Sequence, residues 1–166
     1  MKKLILIIVT LTLLSTGTLL AEDFGARGAL SAENLMLENM LTYAIQDEYL
    51  ARAEYEAILK EYGSIRPFSN IIRSEERHIS WLVPLFEQYG FKIPEDNASD
   101  HVILPENIKT ALEIGVQAEL DNIAMYEVFL EEDLPEDVRD VFERLMAASK
   151  NHLEAFRRGL QRDGQT

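Results

Sequence analysis

Apolar residues recur every three or four positions along four stretches of this chain, the spacing that keeps side chains on one side of a helix. Sevenfold steps pick out the innermost seam of each stretch. In the first, about Ala32 to Tyr62, the seam is Leu41, Glu48, Tyr55 and Tyr62, flanked by Ala44, Ala51 and Ile58. Ser31 is placed to cap its start and Gly63 to end it. The second runs from about Pro67 to Tyr89, with Phe68, Glu75, Leu82 and Tyr89 on the seam and Ile71, His78 and Leu85 beside it. Proline suits the first turn at Pro67, whereas Pro84 is expected to bend the far end. A third helix, about Glu106 to Glu131, carries Leu112, Glu119 and Tyr126, and a fourth, after Asp133-Leu134-Pro135 and on to about Arg162, carries Val138, Leu145, His152 and Gly159.

Between Phe91 and Pro105 the chain is polar and aperiodic, with Pro94, Asp96, Asn97 and Asp100, and reads as a connection. No stretch alternates as a strand would, so the expected fold is all-α. The connection of 15 residues reaches up to about 50 Å when extended, enough to run the length of a helix of about 36 Å. Two antiparallel helical hairpins joined by one long crossover are therefore expected, with the second and third helices parallel. The chain also repeats internally: an offset of 71 residues superposes Gln46, Glu48, Tyr55 and Glu56 on Gln117, Glu119, Tyr126 and Glu127, and one of 74 superposes His78 on His152.

Glu48, Glu75, His78, Glu119 and His152 all fall on or beside apolar seams. A buried ionisable side chain is costly unless it is paired or ligates a cation. Glu48 lies 15 residues before Gly63 while Glu75 and His78 lie 12 and 15 after it, so an antiparallel hairpin brings the three to one level. Glu119 and His152 meet similarly about the second turn. Glu75 and His78, three apart, offer an oxygen and a nitrogen from one helix face to one ion.

Charge and composition narrow the chemistry. Met1 to Ala21 has Lys2 and Lys3 ahead of an apolar run from Leu4 to Leu14 and a Ser/Thr/Gly stretch, which reads as a signal peptide, with an uncleaved anchor as the alternative. An exported protein, periplasmic or extracellular, is expected. Residues 22–166 would then form one domain with 14 basic and 29 acidic residues, a net charge of −15. Such a surface disfavours nucleic acid and anionic membranes as partners. The absence of cysteine excludes disulfides, thiolate ligands and thiol catalysis, so any metal is held by nitrogen and oxygen, and any reductant is expected from outside.

The segments Asp47-Glu48-Tyr49-Leu50-Ala51-Arg52, Ser74-Glu75-Glu76-Arg77-His78 and Asn151-His152-Leu153-Glu154-Ala155-Phe156 resemble the ferritin-like superfamily, and within it the uncharacterised family called domain of unknown function 2202. The resemblance spans nearly all of residues 22–166 and implies a ferritin-like four-helix bundle with a di-iron-type carboxylate centre. It also implies that Tyr55 and Tyr126 stand beside the metals, where their phenols would fix ligand carboxylates. One position departs from the pattern. The family pattern has a lone glutamate and a Glu-x-x-His in each hairpin, and Ser149 stands where the second Glu-x-x-His would have its glutamate, leaving five protein ligands for either an asymmetric pair of ions completed by water or a single ion. Iron is the first expectation, with manganese and zinc also compatible.

Each residue has a plainer role to set beside this one. The three glutamates would pair with Arg52, Arg73 or Arg77 at a solvated surface, the two histidines would sit hydrogen-bonded in the core, and the tyrosines would be ordinary core aromatics. Arg52, one turn from Glu48, reads as a counter-ion to it or as half of a surface pair. Ser149 donates to a bound water or fills space, and His101 has no expected role. Two functions follow: a redox enzyme, an oxidase or peroxidase acting with dioxygen or peroxide, or a non-catalytic protein that binds, buffers or senses a divalent ion. A structural or partner-binding domain with a vestigial site is the third. Oligomerisation is compatible with each.

Overall fold

The computed structural model describes residues 24–164, which contain five α-helices and no strand. The expected signal segment, residues 1–21, lies outside them. Helix α1 is Gly25–Ser31, α2 Leu37–Tyr62, α3 Phe68–Tyr89, α4 Ile108–Leu130 and α5 Glu136–Asp163, with a 3-10 turn at Ala98–His101 inside the connection. None of the described helices is long and apolar enough to cross a membrane.

The four long helices match the four periodic stretches, but the first begins later than its seam suggested. Ser31 does not cap α2: its hydroxyl bonds the Gly28 carbonyl at the end of α1, and an irregular stretch separates the two helices. Helix α1 is a short extra piece laid on α2 and α4 through Ala26 and Ala29. Gly25 has a φ of 56°, and a Cβ there would lie 2.7 Å from the Asp47 carboxylate, so only glycine lets α1 sit this close. Further along, Asn107 caps α4 by accepting from the Thr110 amide at 2.9 Å. Arg139 reaches back from α5 to the carbonyls of Leu130 and Glu132, both at 2.9 Å, closing the last turn of α4. Helix α3 continues through Pro84 to Tyr89.

Side chains from all four long helices build two apolar cores. In one, Leu41, Ala44 and Ile45 meet Leu82, Leu85 and Phe86, Met125, Tyr126 and Phe129, and Val138, Phe142 and Leu145. In the other, Tyr55 and Ile58 meet Phe68, Ile71, Ala111, Leu112 and Phe156. The later residues of α2 thus lie level with the earlier residues of α3 and α4 and the later ones of α5. The hairpins α2–α3 and α4–α5 are antiparallel, and α3 and α4 run the same way across the bundle, joined by the extended crossover. Gly115 and Gly159 let α4 and α5 approach closely, since a Cβ would stand 2.7 Å from Phe156 and 2.8 Å from Leu112, respectively.

Candidate metal centre

The level between the two cores is polar, and it is where the seams carry ionisable residues. Helix α2 supplies Glu48, α3 Glu75 and His78, α4 Glu119 and α5 His152, so every long helix contributes at least one. The three glutamates and His78 are buried, Glu75 most completely at 2 % exposure, and the His152 side chain is nearly so.

The five residues meet as two groups that share Glu75. Glu48, Glu75 and His78 form one, and Glu75, Glu119 and His152 the other, with the potential ligand atoms of each group within 4.8 Å of one another. Each group could hold a metal ion. His78 Nδ1 lies 3.0 Å from Glu48 Oε2 and 2.8 Å from Glu75 Oε2. His152 Nδ1 lies 3.3 Å from Glu119 Oε1 and 3.4 Å from Glu75 Oε1. The two imidazoles are stacked, with ring centroids 5.6 Å apart. Glu75 Oε1 is buried and makes no hydrogen bond, an orphaned acceptor of the kind native interiors rarely keep.

Both tyrosines touch the glutamates, crosswise. Tyr55 of α2 donates to Glu119 of α4 at 3.4 Å, and Tyr126 of α4 donates to Glu48 of α2 at 3.3 Å. Each phenol thus reaches across to the glutamate of the other helix rather than to the one on its own. Arg52 is not the counter-ion of Glu48. It pairs with Asp96 of the crossover and lies over the Tyr49 ring, while Glu48 bonds inward to His78 and Tyr126. Reaching Glu48 would draw a guanidinium into the interior at high desolvation cost.

At the position of the absent glutamate, Ser149 donates to Asn122 Oδ1 at 2.6 Å. Asn122 in turn donates to Asp47, and Asp47 accepts from the Ala26 amide of α1 at 2.8 Å. This chain, from α5 through α4 and α2 to α1, was not anticipated. Its partners lie far apart in sequence; Asp47 stands in a segment that carries the family resemblance, but nothing there points to Asn122. A cavity of about 20 Å³ lies among Asp47, Glu48, Glu75, Glu119, Ser149 and His152. That is space for about one water-sized sphere.

Mutual proximity sets the protonation. Burial raises the Glu75 carboxyl well above its ordinary value, and the neighbouring Glu48 charge adds to the shift. Burial also raises Glu119, partly offset by His152. Glu48 goes the other way, because the bond and charge of His78 outweigh its burial. For His78 burial favours the neutral ring, but Glu48 and Glu75 overcome it and push the pKa up to about 10. Burial raises Asp47 to about 7 and keeps both phenols well above their ordinary range.

A family model described as an uncharacterized protein domain, DUF2202, matches residues 38–166. The chain is 31 % identical over 134 residues to the uncharacterized protein MJ0754 of Methanocaldococcus jannaschii, covering 72 % of each. The crystal structure of the hypothetical protein MJ0754 from Methanococcus jannaschii resembles this one with a TM-score of 0.69 at 26 % identity, over 80 % of this chain and 85 % of that one.

Proposed function

The chain belongs to the DUF2202 family, and on that footing we propose that it is an exported metal-binding protein of ferritin-like architecture whose buried centre takes two divalent ions and performs oxidant-linked redox chemistry. The observation that carries the reading is the sharing of Glu75 between two three-residue groups. A carboxylate with one oxygen toward each group would be available as a ligand to both. Glu75 Oε1, which has His152 Nδ1 at 3.4 Å but no hydrogen bond, would gain in a metal a close partner.

The donor set suits the metal class. Oxygen and imidazole nitrogen without thiolate fit iron or manganese, and zinc as well. Glu48 and His78 would complete one position and Glu119 and His152 the other. Three carboxylates set −3 against +4, leaving one positive charge for a hydroxide or a substrate anion. Bound as a redox-active pair, the metal would supply one electron per ion, so that a peroxide and two protons become two waters. Around it the chain's own residues fix geometry and exclude solvent. Tyr126 and Tyr55 hold the Glu48 and Glu119 carboxylates, and both imidazoles turn Nδ1 toward the carboxylates. Ser149 is committed to Asn122, so no sixth side-chain ligand closes the centre on that side. Electrons return from an external reductant.

A second reading is favoured by the size of the cavity. About 20 Å³ accommodates little beyond the ions themselves, which suits a protein that binds or buffers a divalent ion without turnover. Anaerobic loading with ferrous iron followed by peroxide separates the two. Redox chemistry requires ferric absorbance to appear and then to recycle with added reductant while peroxide is consumed. Stoichiometric binding with no peroxide loss supports the buffering reading instead. Export rests on the residues before Glu22, and fractionation of the source cells tests it.

A further inference from the structure

A second and far larger cavity, about 480 Å³, lies between α1, α2, the 3-10 turn and α4, on the outer side of Asp47 and Ala118. Its volume is within the range of small-molecule sites. The walls are chiefly apolar: Phe24 stacks on the His101 ring at 4.3 Å, and Leu50 lies among them. At the mouth Ile103 and Ile114 are 68 % and 39 % exposed, apolar surface that an occupant would cover.

The charges are one-sided. Four carboxylates line the cavity against the single guanidinium of Arg27, which is drawn to Asp121 at 3.5 Å. Glu113 has Lys109 at 3.6 Å, and both oxygens of Asp47 already accept hydrogen bonds. That leaves Glu54, half-buried, with no hydrogen bond or ion pair among the described residues. Its carboxyl is pushed up to about 7 by burial, against the weaker pull of Arg27. A cationic head-group meeting Glu54 would supply what the protein does not. The aromatic Phe24–His101 pair suits a cation with an apolar body.

We propose that this cavity is a binding site for an organic monocation, an ammonium carried on an apolar chain or ring, with Glu54 as its counter-ion. The site stands independently of the metal centre, from which Asp47 and Ala118 separate it.

Calorimetric titration with three probes of one shape tests the proposal: 4-phenylbutylammonium, 4-phenylbutanol and 4-phenylbutyrate. The ammonium should bind at least about tenfold tighter than the alcohol, as expected for a partly desolvated charge-assisted hydrogen bond, and the carboxylate weakest of the three. In Glu54→Gln the ammonium should fall to the level of the alcohol while circular dichroism stays unchanged. Ile114→Trp, which fills the mouth without altering charge, should abolish binding of both. Equal binding of ammonium and alcohol, preference for the carboxylate, or no heat with any probe would overturn the proposal. So would an unchanged ammonium affinity in either variant.

Discussion

Glu75→Gln separates a ligand from a structural residue more cleanly than any other change at the centre. Glu75 is buried and held toward its protonated form, and a protonated carboxyl and a carboxamide have nearly the same shape and one acceptor oxygen each. His78 keeps Glu48 as its charged partner at 3.0 Å. The metal-free variant should therefore unfold within about 1 kcal/mol of the wild type. Metal binding should differ sharply, because Glu75 belongs to both ligand groups. With free metal at about one hundred times Kd each bound ion adds about 2.7 kcal/mol, on the order of 10 °C in Tm for a domain of this size. A hundredfold loss of affinity would leave the variant about 0.4 kcal/mol per ion, a rise of roughly 1–2 °C each. Thermal unfolding followed by circular dichroism, with and without ferrous or manganous ion under anaerobic conditions, reads both quantities. A variant that keeps the full metal-dependent rise refutes the role of Glu75 as the shared ligand. A metal-free variant that collapses shows instead that Glu75 is chiefly structural.

Tyr126→Phe removes one long hydrogen bond to Glu48, so it should change metal-free stability by under about 1 kcal/mol while weakening metal affinity by roughly tenfold, measured by competition with a chelator. Glu54→Gln should stabilise the protein at high pH only. The folded carboxyl has its pKa raised to about 7 from 4.5, so the folded state binds the proton more tightly and stability falls as pH rises through that window. Partial exposure reduces the effect to about 1 kcal/mol, visible as a gain for the variant in urea unfolding at pH 8 that disappears near pH 4. Gly115→Ala should cost about 1–2 kcal/mol in the same assay, because the new Cβ meets the fully buried Phe156 ring at 2.7 Å, outweighing the helix propensity gained.

Where the chain announces its structure, it does so through contacts that period and symmetry can express. The sevenfold steps placed Glu48, Glu75 and Glu119 on core-facing seams because each long helix buries one face along its whole length. The family resemblance put Tyr55 and Tyr126 beside the ligand carboxylates, but did not say that each reaches the glutamate of the other helix. Helix α1 left no such trace. Seven residues make fewer than two full periods, and Gly25 and Ala26 hold its start by close approach to Asp47 rather than by bulk. The late start of α2 follows from the same piece, since Ser31 is used by α1. Asp47 and Asn122 are 75 residues apart, and their bond arises only when α2 and α4 are laid together. Arg52 illustrates the limit of helical spacing, which placed it near Glu48 but could not foresee Asp96 arriving from the crossover. His101, without a sequence signal, stacks on Phe24 in a wall of the larger cavity.

Metal content tests the central claim most directly. Elemental analysis of protein purified without chelator, and again after anaerobic loading, should find about two equivalents of iron or manganese per chain, as two ligand groups sharing Glu75 imply. In Glu75→Ala/His78→Ala, which strips both groups of their shared ligand, the content should fall to background. A wild type that retains no metal after loading, or a variant that retains as much as the wild type, would contradict the account.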